Sequence, residues 1–265
     1  MRLILNFLLK LNIYNKLHKY IGFKIFKYFK IFFVETDLKE LPLLNHPINA
    51  NFESELEKFK KIKSSNVRPF ISYSHILDLI RISEKYKRKQ ITFLDFGAGN
   101  LELFGYLSKN LKSFKYFYHD QKDYNSIAEK IKKSEKIKNL EIIKDFQKKS
   151  YSFDFVYFGG SLQYINNYKD TLKKILKKSK FLVISQTPFH FDKQLKDEII
   201  LKQLNLSNNL NYLYLINYYR FTKFINKYGF NLVSLTNNRV IKFINFKNLK
   251  KYKNIDMYDL LFEKK

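Results

Sequence analysis

From residue 91 onward, short apolar runs alternate with longer stretches in which apolar residues recur every three or four positions. The short runs predict strands over 91–96, 114–119, 140–143, 153–158 and 181–185. The helical spacing between them predicts helices over 101–111, 124–134 and 168–178. A long apolar and aromatic stretch over 211–228 reads as a further helix, and 230–236 and 257–263 read as closing strands. Upstream, a loop with Pro42 and Pro47 leads into a helix predicted over 52–63, and a turn near Ser64 to Pro69 leads into another over 70–87. Strand and helix in alternation predict an α/β fold whose mostly parallel sheet is covered on both faces. No internal repeat is visible. The organisation divides into an extension over 1–66 and a sheet-bearing domain over 67–265.

The extension differs in character. Residues 1–34 hold seven basic residues and no acid before Glu35, with Leu3, Ile4, Phe7, Leu8 and Leu11 at helical spacing. One or two basic amphipathic helices are expected, either lying on an anionic membrane surface or packed on the core with their lysines in water. No apolar run approaches the ~18–20 residues of a spanning helix, and the small-residue cleavage site of a signal peptide is missing. A cytoplasmic protein is expected, free or peripheral on the inner membrane surface.

Composition narrows the classes. With 265 residues, 45% hydrophobic and 18% aromatic, the chain can bury a core and is not of the disordered type. The absence of Cys excludes disulfide frameworks, thiolate zinc sites and cysteine nucleophiles. A net charge of +26 invites a nucleic-acid reading, yet six of the 50 basic residues are Arg and 44 are Lys. Sequence readout favours the bidentate fork of Arg. The abundance of Lys, Ile, Asn, Phe and Tyr also follows AT-rich codons, so a nucleic-acid partner is disfavoured.

The chemistry concentrates after the first strand of the alternating region, where Phe93-Leu94-Asp95-Phe96-Gly97-Ala98-Gly99-Asn100 runs straight into a helix. Two glycines at a strand-to-helix turn permit positive φ and a close ligand, or make a plain tight turn. A dinucleotide fingerprint would need glycine at 102, where the chain has Glu102. Asp95 ends the strand with an acid, which suits a ligand bearing ammonium and sulfonium charges, S-adenosylmethionine rather than a dinucleotide. Asp120 ends the next strand, where an acid either accepts from ribose hydroxyls or caps the following helix. Asp145 lies past the third strand, facing an adenine amino group or serving a turn. Gly159 and Gly160 end the fourth strand and let the backbone pass close beneath a ligand, or simply terminate it.

Together these residues resemble class I S-adenosylmethionine-dependent methyltransferases. Leu162-Gln163-Tyr164 and Gln186-Thr187-Pro188-Phe189 further resemble a methyltransferase family encoded among bacterial surface-polysaccharide genes. The resemblance spans roughly 68–236. It implies a Rossmann-like seven-stranded sheet of order 3-2-1-4-5-7-6, the last strand antiparallel. It also implies O-methylation of a sugar or glycan precursor in polysaccharide synthesis. Position 101 is Leu101 where many such enzymes carry a third glycine, and position 186 is Gln186 where the narrower family leads one to expect Arg.

On the acceptor side, His190 is the candidate base, the only one of five His just past the fifth strand, with Thr187 and Tyr164 as positioning groups. A structural loop histidine is the competing reading. His119 adjoins Asp120, but strand alternation turns it away. No His pair stands with a carboxylate at metal-ligand spacing, so no catalytic metal is expected. Tyr212, Tyr214, Tyr218, Tyr219 and Phe221 offer either sugar stacking or ordinary packing. A different class, a non-catalytic protein of degenerate methyltransferase fold that binds a membrane surface or polyanion, is kept open by Leu101, Gln186 and the basic N-terminus.

Overall fold

Alternation in Ile91–Phe96 sends Leu94 and Phe96 to one face and Phe93 to the other, and both faces are buried. A strand buried on both sides belongs in the middle of a covered parallel sheet. In the computed structural model the described residues are 31–42, 51–64, 90–146, 151–195, 198–205, 210–237 and 255–265. They form β1 (Ile31–Glu35), α1 (Phe52–Ser64), β2 (Ile91–Phe96), α2 (Glu102–Asn110), β3 (Phe114–His119), α3 (Lys122–Ser134), β4 (Leu140–Ile142) and β5 (Phe153–Gly159). There follow a 3₁₀ turn (Leu162–Tyr164), α4 (Tyr168–Leu176), β6 (Ser179–His190), β7 (Ile199–Asn205), β8 (Leu210–Asn217), α5 (Tyr218–Asn226), β9 (Phe230–Asn237) and β10 (Asp256–Lys264). The helices expected within 1–30 and over 70–87, and the boundary at 66, lie outside the described residues.

The main sheet runs β4-β3-β2-β5-β6-β10-β9, parallel from β4 to β6, with β10 antiparallel to both its neighbours. Counted in chain order from β2, this is 3-2-1-4-5-7-6 with the last strand antiparallel, as expected. Two cores cover it. Phe59, Phe104, Leu107, Ala128 and Ile131 of α1–α3 pack on one face, and Leu172, Ile175, Phe221 and Ile225 of α4 and α5 on the other. The order reverses beside β2, which opens a crevice at the carboxyl ends of β2 and β5.

One expectation is corrected. The stretch 211–228 is not one helix but β8 followed by α5. Leu213 and Leu215 face a small third core, while Tyr214 and Ile216 face the main one, a strict two-residue alternation. With both sides apolar, the run carries no polar face to betray its period. β8 pairs parallel with the tip of β6 (Phe189 with Ile216, His190 with Asn217), on the edge that β5 vacates after Gly159. β7 and then β1 add antiparallel strands outward.

Asn217 locks this addition to the sheet. Its Oδ1 accepts from Arg220 N–H at 3.1 Å, capping α5, and its Nδ2 donates to the carbonyls of Asp192 (2.8 Å) and Leu195 (3.1 Å). Asn217→Ala removes a cap and strands two carbonyls, an expected loss of about 2 kcal/mol read as a lower urea midpoint with unchanged slope.

Candidate functional site

The site is built from the turn after β2. Gly97 and Gly99 hold φ of +68° and +67°, a region that L side chains rarely adopt. Gly97 N–H donates to His119 O at 2.8 Å, Gly99 N–H to Asp120 Oδ2 at 2.6 Å, and Tyr118 Oη–H to Gly99 O at 3.1 Å. The end of β3 therefore holds the turn on three bonds. Asn100 Oδ1 accepts from Glu102 N–H at 3.0 Å and starts α2. Leu101 is buried under the turn.

A β-carbon on Gly97 would fall 2.5 Å from Ser161 Cβ, so only glycine fits there. Ser161 comes that close because its hydroxyl donates to Phe96 O at 2.6 Å. The turns after β2 and β5 are thus joined directly. Gly159 continues β5 beside Tyr157. Gly160 takes φ +71° and donates to Ser185 O at 2.9 Å, which joins the third parallel strand end to the same wall.

Asp95 lies beneath the turn on the α1–α3 face, only 2% exposed. Its neighbours in register are Tyr118 on β3 and Tyr157 on β5. Tyr116, two residues earlier on β3, donates its hydroxyl to Asp95 Oδ2. Oδ1 is buried with no hydrogen-bond partner among the described residues. Burial pushes the Asp95 carboxyl up to about 7, the Tyr116 hydroxyl pulling the other way and the Asp120 charge adding to the rise. Burial also raises Asp120, against the hydrogen bonds from Gly99 and Gln121.

The structure decides how Asp120 uses its carboxylate. Helix α3 carries no side-chain cap; Oδ2 serves Gly99 N–H and Oδ1 accepts from Gln121 N–H at 2.6 Å. Asn125 fixes the main chain, accepting from Asp120 N–H and donating to Asp120 O. Asp145 stands in the loop past β4, its charge felt by Tyr151, and Phe146 beside it lies edge-on to Phe96 and His119. His119 is structural, with Nδ1 2.8 Å from Ile143 O.

The expected acceptor-side residues separate. Tyr164 is 40% exposed at the end of the 3₁₀ turn. Thr187 is buried, its hydroxyl 3.3 Å from Gln163 Oε1 and 3.2 Å from Ser185 O. His190 has no exposed surface, accepts from Asp192 N–H at Nδ1 (3.4 Å) and is lowered from its ordinary value by burial. Asp95, Gly97, Gly99, Asp120, Gly159 and Gly160 therefore converge at the crevice, whereas Thr187 is buried in β6 beside β10 and against Gln163, and His190 sits where β8 joins the sheet. Among the described residues no group of three His, Asp or Glu side chains is placed to hold a metal ion, and no helix is long and apolar enough to cross a membrane.

Sequence reasoning left out Tyr116 and Tyr118, and it placed Ser161 and Gln163 in the segment after the fourth strand without a role of their own. Alternation puts Tyr116 and Tyr118 on one face of β3, a readable signal, but only the register brings that face to Asp95.

No family profile matches the chain, and no curated protein matches it. Solved structures do resemble it. One is an S-adenosylmethionine-dependent methyltransferase from Clostridium acetobutylicum ATCC 824, at 13% identity over 80% of this chain and 98% of that one, TM-score 0.49. Another is DesVI from Streptomyces venezuelae, at 8% identity over 82% and 100%, TM-score 0.48. A third is magnesium protoporphyrin IX methyltransferase from Synechocystis PCC 6803 with bound SAM, at 9% identity over 83% and 100%, TM-score 0.47. Likeness at this level leaves the chemistry to be argued from the chain's own residues.

The raised Asp95 carboxyl has a consequence for stability. Between the ordinary carboxylate range and about pH 7 the folded chain holds a proton that the unfolded chain has lost, so stability declines as pH rises through that window. Asp95→Asn is neutral at every pH and is expected to remove that share of the decline. Its melting temperature should gain on wild type between about pH 5 and about pH 8; a constant difference across that range contradicts the assignment.

Proposed function

We propose that the chain is an S-adenosylmethionine-dependent methyltransferase acting on an oxygen of a sugar or glycan precursor. The observation that carries this is the pairing of two buried or half-buried acids, Asp95 and Asp120, with the Gly97–Gly99 turn at the point where strand order reverses. An edge this acidic, on a chain of net charge +26, selects for a ligand that brings positive charge to it.

The residues present fit that cofactor. Asp95 Oδ1 is a buried acceptor with no donor among the described residues, a state costing roughly 1–3 kcal/mol that a ligand ammonium would relieve. Asp120, fixed by Gly99 and Asn125, stands at the strand tip where an acid receives ribose hydroxyls. Asp145, in the loop past β4, is the residue proposed for the adenine side. Gly97, Gly99 and Gly160 keep the floor free of side chains. S-adenosylmethionine supplies, when bound, an electrophilic methyl on a sulfonium.

The protein's share is positioning, because an in-line displacement needs the acceptor oxygen held about 3–3.5 Å from the methyl carbon. Tyr164 is the exposed group at the mouth, and the Gln186 side chain lies beside Gly160. A phenol and an amide bind hydroxyls without bringing charge, which supports a sugar hydroxyl as acceptor. The burial of His190 and its bond from Asp192 N–H fit a wedge between β6 and β8 better than a base. The seven basic residues before Glu35 support peripheral contact with an anionic membrane surface.

Calorimetric titration with S-adenosylhomocysteine tests the cofactor. Wild type is expected to bind with micromolar affinity that changes little with salt, and Asp120→Ala to lose about 2 kcal/mol or more of it, as for hydrogen bonds to a charged group. No binding to wild type, together with tight, steeply salt-dependent binding of a polyanion such as heparin, would replace this reading with the non-catalytic one.

A further inference from the structure

The pairing of β6 with β10 breaks rhythm once. Tyr258 pairs with Thr187 and Leu260 with Ile184, so Asp259 alone faces both Ser185 and Gln186. This is a β-bulge, a device that re-aims side chains. Gln186 takes φ +51° inside it, left-handed backbone for a residue with a β-carbon.

Asp259 holds the bulge. It is 1% exposed, between core residues of the last strand, and its Oδ1 accepts from Ser185 Oγ–H at 2.7 Å and from Gln186 N–H at 2.8 Å. From there the bonds run straight to the crevice. Ser185 O accepts from Gly160 N–H at 2.9 Å. Gln163 Nε2 donates to Gly160 O at 2.9 Å and to Gln186 O at 3.3 Å. A β-carbon on Gly160 would lie 3.5 Å from Cβ and Oε1 of Gln186, so the Gln186 side chain lies against that loop. Ser161 then closes onto Phe96 O and the glycine turn.

We propose that Asp259, on the strand farthest along the chain, is a positioning residue of the site: by clamping the bulge it sets the Gly160–Ser161 wall against the Gly97 turn, and with it the affinity for the adenosyl ligand. This rests on the cofactor reading above. A carboxylate needed only for strand pairing would stabilise the fold without touching ligand affinity, and this difference is measurable.

The test uses the full chain with Asp259→Ala, Asp259→Asn and Ser185→Ala. Two quantities are read: amide hydrogen exchange at Gly160 and Gln186, and S-adenosylhomocysteine affinity. Asp259→Ala is expected to speed exchange at both amides and weaken affinity, each by about tenfold, while the rest of the sheet stays protected. Asp259→Asn keeps the accepting oxygen and should stay within about threefold of wild type. Should Asp259→Ala fail to fold, Ser185→Ala, which removes one of the two bonds, should show the same pair of changes at smaller size. Unchanged affinity in a folded variant, or faster exchange spread evenly over the sheet, would overturn the proposal. If wild type does not bind S-adenosylhomocysteine, the cofactor reading fails, and the wall-setting role is then decided by Gly160 exchange alone.

Discussion

The crevice depends on one close approach: Ser161 gives its hydroxyl to Phe96 O across 2.6 Å, over a position 97 that has no β-carbon. Parallel strands end side by side, and their loops ordinarily spread apart under their own side chains. Here the loops after β2 and β5 are pinned together, the β3 end holds the first of them through Gly97 and Gly99, and β6 holds the second through Gly160. Four strand ends thus share one floor. Its bareness of side chains leaves room for a ligand, and its N–H groups and acids decide which ligand.

Charge makes that decision. Burial works against the ionised form of both Asp95 and Asp120, and the Asp120 charge makes Asp95 harder still to ionise. An acid held this way interacts strongly with a cation that reaches it, since the water that would screen it is excluded. Tyr116 steadies the Asp95 carboxyl with one hydroxyl and leaves the second oxygen for something else. On a chain of net charge +26, the local arrangement at this edge is acidic.

Much of the sheet was legible because its central strands announce themselves as short apolar runs between helical stretches, and because Asp95, Gly97, Gly99 and Asp120 lie at their ends. The β7–β8 addition was not legible. β8 is apolar on both faces, so its period vanished into a run long enough to pass for a helix. The linkages within the site were hidden for another reason. Tyr116 reaches Asp95, and Asp259 reaches Gln186, across 21 and 73 residues of chain, by register alone. A polar residue inside the apolar strand Asp256–Lys264 was a visible signal at Asp259, though its partner was not. His190 was expected just past the fifth strand, but that strand continues as far as His190 and takes β8 as a partner there, which encloses it.

The proposed function stands or falls on whether the acids and glycines at the ends of β2, β3 and β5 hold an adenosyl sulfonium ligand. A crystal structure of the chain grown with S-adenosylhomocysteine tests it most directly. The ribose hydroxyls are expected on Asp120, the homocysteine amine on the Asp95 side and the backbone of Gly97 to Gly99 against the ligand. Ligand density at any other edge of the sheet, or a bare crevice at saturating ligand, would contradict it.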